Sequence, residues 1–374
     1  MWAIVVKEFR QLRRDRRTVA MLFLLPFLFL IVFGYAASFD VKTVPTVVVG
    51  PLATTVAAHL PGQFDVVGVH PADGYTQAFN ELRNGKAIIA IVTPASLDAR
   101  NAQILIDGTE LLAARTAITG FSQMKALSSG VPTINQGPGQ AYYALKLPTL
   151  KVLFNPELRT SVIMIPGLCG IILVFVGTVA TALGVVRERQ AGTLEQLAVM
   201  PFRAWQVFLG KIAPYLLIAV IDMALIVGAG LLVFNVPFRG SVLTFALGAL
   251  LFLFVTLGVG VLISTVSQTQ GQAIQLSIMT LLPQILLSGL FFPLYSMAAG
   301  VRWISYVLPM TYFVKVARGV MVRGTPFVAL WFPLSMLAVL GAVVFTLSVL
   351  RFRRDLAPAG AKDEDGADVA EASA

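Results

Sequence analysis

The chain has 374 residues, of which 57% are hydrophobic and 13% are charged, and its mean hydropathy is +0.82. A soluble domain carries about a quarter charged residues, so this composition excludes an ordinary soluble protein and indicates an integral membrane protein. The net charge of +9 does not indicate nucleic-acid binding, because the basic residues cluster beside the ends of apolar spans, where they orient membrane helices. The single cysteine, Cys169, excludes an internal disulfide.

The N-terminal residues predict an attachment to the cytoplasmic side of a membrane. Residues 1–17 place apolar side chains at helical spacing against a basic face, which is typical of an amphipathic interfacial helix. The apolar span 18–37 follows and is long enough to cross a bilayer, which takes about 20 residues. Its apolar run is longer than that of a signal peptide and the preceding charged region is also long, so we expect an uncleaved first transmembrane helix.

Residues 38–157 form a polar insert after the first span, and they predict an extracytoplasmic α/β domain. Short β-branched runs alternate there with helical patterns. The predicted strands are 44–49, 64–69, 87–92 and 103–106, and the predicted helices are 53–60, 75–84 and 111–127. His59 and His70 lack partners at metal-ligand spacing, so no metal site is predicted, and we expect a docking or gating module rather than a catalytic one.

Five more apolar stretches are long enough to cross a membrane: 160–186, 212–234, 242–266, 273–293 and 328–350. The polar run 267–272 divides an uncharged region and predicts the turn of a hairpin. With span 18–37, these stretches predict a helical polytopic membrane protein with six transmembrane helices. Both termini then lie on one side, which the N-terminal arginines identify as cytoplasmic. The acidic, alanine-rich tail 351–374 predicts disorder.

Segment 294–327 fits the charge rule poorly, because it carries basic residues on the predicted outer side. These residues are Arg302, Lys315, Arg318 and Arg323. The apolar stretches of the segment are too short to cross, and prolines interrupt them, so we predict re-entrant half-helices that dip from outside. A seventh crossing is the alternative.

The charged segment 187–211 lies between two apolar spans on the predicted cytoplasmic side. Thr193 and Gln196 have the spacing of a capping box, Gly192 permits a sharp turn before it, and Pro201 ends the short helix. Such a helix suits a groove in a partner protein, whereas the alternative is a solvated connector. The predicted coupling residues are Glu188, Gly192, Thr193, Leu194, Glu195 and Leu197.

Several polar residues inside the spans are candidates for a translocation path. Asp222 is the sole ionisable residue within a predicted span, and such residues face a bundle interior or a cavity. Its alternative role is a hydrogen bond to Gln275 or Gln284. Pro283, Gln284, Ser288 and Gly289 are expected to interrupt the fifth span. The sequence contains no P-loop motif, so any ATP hydrolysis belongs to another polypeptide.

Four stretches of this chain resemble the membrane permease subunits of type-2 ABC exporters, in the bacterial branch with a large extracytoplasmic domain between the first and second transmembrane helices. They are NPELR at 155–159 with IPG at 165–167, RER through GTLEQL to proline at 187–201, LSGLFFP at 287–293, and LPMTYF with RG at 308–319. The second stretch is similar to the coupling loop of that family. The six-span layout extends the resemblance over nearly the whole chain.

The resemblance implies a non-catalytic subunit without a cofactor. It implies docking of a separate ABC ATPase at the segment of Glu188 and Glu195, and pairing with a second permease subunit, either the same or a homologous chain. The path would carry an amphipathic or lipophilic substrate, drug-like or lipid-like, across a bacterial inner membrane. The outer domain would meet partners such as a periplasmic membrane-fusion adaptor.

Two other classes of protein fit the sequence less well. A membrane receptor or sensor with an extracytoplasmic α/β ligand-binding domain would need a cytoplasmic output domain, and the predicted cytoplasmic pieces are short. An intramembrane enzyme would need paired catalytic groups at one depth, whereas Asp222 stands alone in its span. The exporter permease is therefore the favoured hypothesis.

Overall fold

The computed structural model describes residues 43–60, 62, 64–94, 102–119, 149–191 and 204–355. The predicted interfacial helix 1–17, the span 18–37 and the end of the tail after 355 lie outside the described residues. So does the middle of the predicted coupling segment, 192–203.

A five-stranded mixed sheet occupies the segment that was predicted to be an α/β domain. Its strands are β1 (Val44–Val49), β2 (Phe64–His70), β3 (Ile89–Val92), β4 (Gln103–Asp107) and β5 (Thr149–Leu153). Their order is β2-β1-β3-β4-β5, with parallel neighbours except for the antiparallel pair β3 and β4. The first four strands fall on the predicted β-branched runs. The fifth was not predicted, although exposed Thr149 and Lys151 alternate there with less exposed Leu150 and Val152.

Helices cover both faces of this sheet, because alternate side chains of the strands are apolar. The helices are α1 (Ala53–His59), α2 (Tyr75–Arg83) and α3 (residues 111–119). Leu82 of α2 packs in one core cluster with Leu105 of β4, whereas Ala114 of α3 belongs to a second cluster with Ile104 and Ile106. The alternation along β4 therefore separates the two layers of helices.

Long helices make up most of the remaining described chain. They are α4 (Thr160–Gln190), α5 (Ala204–Leu232), α6 (Val242–Val266), α7 (Gln270–Leu287), α8 (Ala299–Ser305), α9 (Pro309–Arg318) and α10 (Trp331–Asp355). A 3-10 turn, Leu294–Ser296, precedes α8, a π-helical turn, Gly319–Arg323, follows α9, and a second 3-10 turn, Phe327–Leu330, leads into α10.

Four helical stretches within the described residues are long and apolar enough to cross a membrane: Thr160–Gln190, Ile212–Leu232, Val242–Val266 and Phe327–Arg351. Helix α7 occupies most of the predicted fifth span and has 18 residues. It is less apolar because it carries four glutamines, including Gln275 and Gln284. The described chain is therefore predominantly helical and has the character of a polytopic membrane protein.

Several boundaries differ from the predictions. Helix α4 continues to Gln190 and α5 begins at Ala204, so helices enter the predicted loop 187–211 from both sides. Arg187 to Gln190 are good helix formers, so α4 continues through them. Helix α7 runs through Pro283 and Gln284 and ends at Leu287, so the expected interruption falls at Ser288 and Gly289 and not at Pro283. Gly289 adopts φ +82°, a left-handed conformation that glycine tolerates.

Helices α4 and α6 form the centre of the bundle, and the short helix α9 packs among α4, α6 and α10. The ring of Phe313 on α9 stacks on that of Phe252 on α6, with 4.3 Å between centroids. Gly170 of α4 faces Met310 and Phe313 so closely that a Cβ atom there would collide with them. A ten-residue helix rises about 15 Å, half the hydrocarbon thickness, so α9 is too short for a seventh crossing.

Candidate functional site

The C-terminal end of α4 is fastened to the next hairpin by Arg189. Its Nη1 donates to the backbone oxygens of Ser264 and Ser267, each at 3.0 Å. These carbonyls belong to the last turn of α6 and its C-cap, where helical partners are missing. A cation at a helix C-terminus also complements the helix dipole. Arg189 therefore connects the start of the predicted coupling segment to the end of a membrane helix.

The turn between α6 and α7 contributes a second set of contacts to this end of α4. Gln270 accepts a hydrogen bond from Arg187 Nε at 3.4 Å and donates one to Gln190 Oε1 at 3.0 Å. Thr269 caps α7 by accepting from the backbone N–H of Gln272. The polar run 267–272 thus forms the hairpin turn that its composition predicted.

The predicted coupling residues divide between described and undescribed chain. Glu188 lies half-buried in the last turn of α4, next to Arg189. Gly192, Thr193, Leu194, Glu195 and Leu197 lie outside the described residues. Their capped helix remains a prediction. The described residues on either side of it belong to α4 and α5.

The candidate path residues lie on two different helices. Asp222 is half-buried on α5, which packs mainly against α4, α6 and α10. Within the described residues it has no hydrogen-bond partner, so the alternative bond to Gln275 or Gln284 is not formed. On α7, Gln275 and Pro283 are half-buried, whereas Gln284 is 2% exposed and its Oε1 has no described hydrogen-bond partner. The structure therefore does not bring Asp222 together with the glutamines.

Hydrogen bonds from side chains to backbone oxygens fasten the α/β domain to the helical part of the chain. Arg83, the last residue of α2, donates from Nε to the backbone oxygen of Gly324 at 2.9 Å. In return Thr325 Oγ1 donates to the backbone oxygen of Arg83 at 2.6 Å. Thr325 is buried, so this reciprocal pair closes a tight contact between α2 and the turn after α9.

Two ion pairs cross the same junction. Asp107, at the end of β4, lies 3.5 Å from Arg323 Nη1 and is 1% exposed. Glu110, just before α3, lies 3.5 Å from Arg318 Nη1. Arg318 also donates to the backbone oxygens of Gly289 and Leu290, and so satisfies carbonyls just past the end of α7.

Burial controls the electrostatics of the two carboxylates. It raises the pKa of Asp107, while Arg323, a hydrogen bond from the Thr109 backbone N–H and Arg318 oppose that rise. It also raises the pKa of Glu110, against the opposing field of Arg318. Each carboxylate therefore depends on its arginine to keep a charge in a place that disfavours one.

Sequence reasoning did not find this junction, although it found the signal for it. The four basic residues of segment 294–327 did not fit the charge rule, and all four, Arg302, Lys315, Arg318 and Arg323, line the cavity beside the α/β domain. Two of them, Arg318 and Arg323, pair with acidic residues that are far away in sequence. A single sequence gives no means of pairing such distant positions.

The apolar helices give the described chain the character of a multi-pass membrane protein. The family described as ABC-2 family transporter protein matches residues 16–350. The chain therefore belongs to that family, and it is a transmembrane permease subunit of an ABC exporter.

Relatives from Escherichia coli strain K12 extend this similarity. The chain is 28% identical over 337 residues to the "Probable multidrug ABC transporter permease YbhS", covering 86% of this chain and 88% of that protein. It is 25% identical over 370 residues to the "Probable multidrug ABC transporter permease YbhR", covering 95% and 98%. It is 32% identical over 212 residues to the "Inner membrane transport permease YhhJ", covering 55% of each chain.

Proposed function

We propose that a separate ABC ATPase subunit drives this permease through segment 187–211. The observation that carries the proposal is the double hydrogen bond of Arg189 to Ser264 and Ser267. A push on the segment after Gln190 would reach α6 and α7 through this bond and through Gln270, without passing through the lipid-facing helices. The lack of a P-loop motif in the sequence supports a partner that supplies ATP hydrolysis.

In this proposal, Leu194 and Leu197 seat the coupling helix in a groove of the ATPase, and Glu195 orients it. An interface of this kind needs an apolar anchor together with a polar group. Gly192 and Thr193 begin the helix, and Glu188 continues its charged face onto α4. Because a short helix is only marginally stable alone, binding of the ATPase determines whether the segment is a helix or a connector.

Two permease subunits, identical or homologous, form the path between them. Support comes from the large exposed apolar faces of α5 and α10, which need either lipid or a second subunit. The substrate we propose is amphipathic or lipophilic, in keeping with the word multidrug in the names of two relatives. Asp222, Gln275, Pro283 and Gln284 are the residues proposed to line or shape the path.

The proposed topology has six crossings, with both termini in the cytoplasm and the α/β domain outside, where a membrane-fusion adaptor would bind. Single cysteines at Asp73, Gln190 and Gly300, all exposed positions, test it in a Cys169→Ser background. A membrane-impermeant maleimide applied to intact spheroplasts should label positions 73 and 300 and spare 190. Labelling of 190, or protection of 73, contradicts this arrangement.

The coupling proposal is tested by Leu194→Asp and Glu195→Ala. An aspartate in an apolar contact leaves an unpaired charge there and costs on the order of a few kcal/mol of binding free energy, whereas Glu195→Ala should act more mildly. The measurements are co-purification of the ATPase and ATP-driven uptake of Hoechst 33342 into inverted vesicles, at matched abundance of the permease. Wild-type association and uptake in Leu194→Asp would mean that the segment is only a connector.

A further inference from the structure

Two adjoining cavities lie where the α/β domain meets the helices. One has a volume of about 430 Å³ and the other of about 500 Å³. They share four lining residues, namely Glu110, Gly289, Pro293 and Arg318. The two cavities therefore adjoin at these residues.

The smaller cavity, here called the basic chamber, has an excess of positive charge. Five basic and two acidic residues line it. Asp107 and Glu110 pair with Arg323 and Arg318, and Lys86 pairs with Glu81 outside the chamber. Two basic residues, Arg302 and Lys315, are left without a carboxylate at ion-pair distance among the described residues.

The guanidinium donors of the basic chamber are also incompletely satisfied. The Nε atoms of Arg302, Arg318 and Arg323 are buried and have no hydrogen-bond acceptor within the described residues. Arg318 as a whole is only 4% exposed, and the hydroxyl of the lining residue Tyr295 is buried and unpaired as well. Buried cationic donors without acceptors are costly, so the chamber is suited to an anionic group that accepts several hydrogen bonds.

The larger cavity, here called the apolar chamber, offers a different surface. Ile163 and Met164 line it from α4, Ile285 and Leu286 from α7, and Phe291 and Phe292 from the loop that follows α7. Phe291 is 40% exposed, which leaves the chamber open at that side. Such a surface suits an alkyl chain, since it stabilises by burying apolar area.

We propose that the two chambers form one binding site for an anionic amphiphile, with a phosphate or carboxylate head in the basic chamber and an alkyl tail in the apolar chamber. The proposal deepens the proposed export of amphipathic molecules, because it names the charge and shape of a ligand. It concerns binding by the permease alone and needs neither ATP nor the ATPase.

Equilibrium binding of tritiated decyl phosphate to the full chain in phosphatidylcholine nanodiscs tests the proposal, with empty nanodiscs as background. Lys315→Met removes a cation of the basic chamber that makes no described ion pair, and Met164→Trp fills the apolar chamber. Their matched controls are Lys151→Met, an exposed lysine outside both chambers, and Leu168→Trp, an exposed position one turn further along α4.

We expect saturable binding that weakens about tenfold or more in both chamber variants. For Lys315→Met this is the loss expected for one charge-assisted contact. Binding should be unchanged in both controls. Decyl phosphate should compete at concentrations at which inorganic phosphate and decanol do not. Equal binding by all four variants, or equal competition by decanol, overturns the proposal. Competition by inorganic phosphate as strong as that by decyl phosphate also overturns it, because the tail then contributes nothing.

Nanodiscs that contain phosphatidylglycerol distinguish two sources of the ligand. Loss of decyl phosphate binding there assigns the site to an anionic lipid of the bilayer, and unchanged binding assigns it to single-chain amphiphiles. Both results support the site. Failure of export with intact binding would count against the exporter function alone, and failure of binding with intact export would count against this site alone.

Discussion

Arg318 lies 3.5 Å from Glu110, and this ion pair joins helix α9 to the α/β domain across 208 positions of sequence. Arg318 simultaneously binds the carbonyls that follow α7. One buried guanidinium thus touches three parts of the molecule. Movement of α7 relative to α9 therefore breaks the contacts of Arg318 to these carbonyls, whereas its ion pair with Glu110 can persist.

Arg323→Met should make the stability of the protein more sensitive to pH. Burial raises the pKa of Asp107 and Arg323 opposes the rise, so removing Arg323 lets the folded-state pKa climb further. An acid whose pKa is higher in the folded state than in the unfolded state contributes its full stabilisation of the folded state below the unfolded-state pKa. This contribution is lost as pH rises through the folded-state pKa. Within that window the loss is about 1.4 kcal/mol per pH unit.

The measurement is thermal unfolding of the wild-type protein and Arg323→Met in nanodiscs between pH 5 and pH 8. The difference between the two should be small at the acidic end and grow towards the alkaline end. Arg323→Lys keeps the charge beside Asp107 and should follow the wild type. A difference that is constant with pH would show that Arg323 acts through packing and not through the charge of Asp107.

Thr325→Val should loosen the contact between α2 and the turn after α9. The variant keeps the shape of the side chain and removes the hydroxyl that donates to the Arg83 carbonyl at 2.6 Å. Losing a buried hydrogen bond costs about 1–2 kcal/mol. Hydrogen exchange of residues 319–325 should accelerate, whereas Thr325→Ser, which keeps the hydroxyl, should exchange nearly as slowly as the wild type. Equal exchange in both variants would show that this hydrogen bond does not stabilise the junction.

Local pattern was sufficient to predict the first four strands of the sheet and the hairpin at 267–272. Val44 to Val49 is β-branched and apolar, and Thr269 provides a helix cap, so both signals lie within a few neighbouring residues. The interruption of the fifth span was predicted correctly at Ser288 and Gly289 but wrongly at Pro283, because proline is a strong helix breaker in water whereas a membrane helix accommodates it.

The site depended on long-range contacts that a single sequence does not reveal. Arg189 and Ser264 are 75 positions apart, and Asp107 and Arg323 are further apart still. Composition showed that these charges were unusual for their positions, but only tertiary structure shows which group each one meets. The proposed path residue Asp222 illustrates the reverse case, because its expected partners on α7 were chosen from polarity and do not contact it.

Phe313→Ala should destabilise the helical bundle strongly. The ring is fully buried and stacks on Phe252, and a Phe→Ala change in a packed core costs about 3–5 kcal/mol because a cavity remains. The check is the fraction of monodisperse protein that survives heating in detergent, followed by size-exclusion chromatography. Phe327→Ala, at a position that is 52% exposed, is the matched control and should behave like the wild type.

Arg189→Gln should uncouple ATP hydrolysis from transport without unfolding the protein. The variant loses the charge and at least one of the two bonds to the carbonyls of Ser264 and Ser267, so the segment after α4 no longer pulls directly on α6. Gln retains helix propensity, and helix α4 should therefore still reach Gln190. Arg187→Gln is the comparison, because Arg187 makes a single, longer bond of 3.4 Å to Gln270 at the start of α7 and does not reach the end of α6.

The measurement for this pair is the ratio of transported Hoechst 33342 to ATP hydrolysed by the reconstituted permease and ATPase. A lost charge-assisted bond of about 1.5–3 kcal/mol corresponds to roughly a tenfold or larger shift in a conformational equilibrium. We therefore expect that ratio to fall several-fold in Arg189→Gln, with the ATPase still bound, and to fall less in Arg187→Gln. Because both variants remove one positive charge from the same helix end, an equal fall in both would trace the effect to net charge at the membrane surface, and the mechanical role of Arg189 would be wrong.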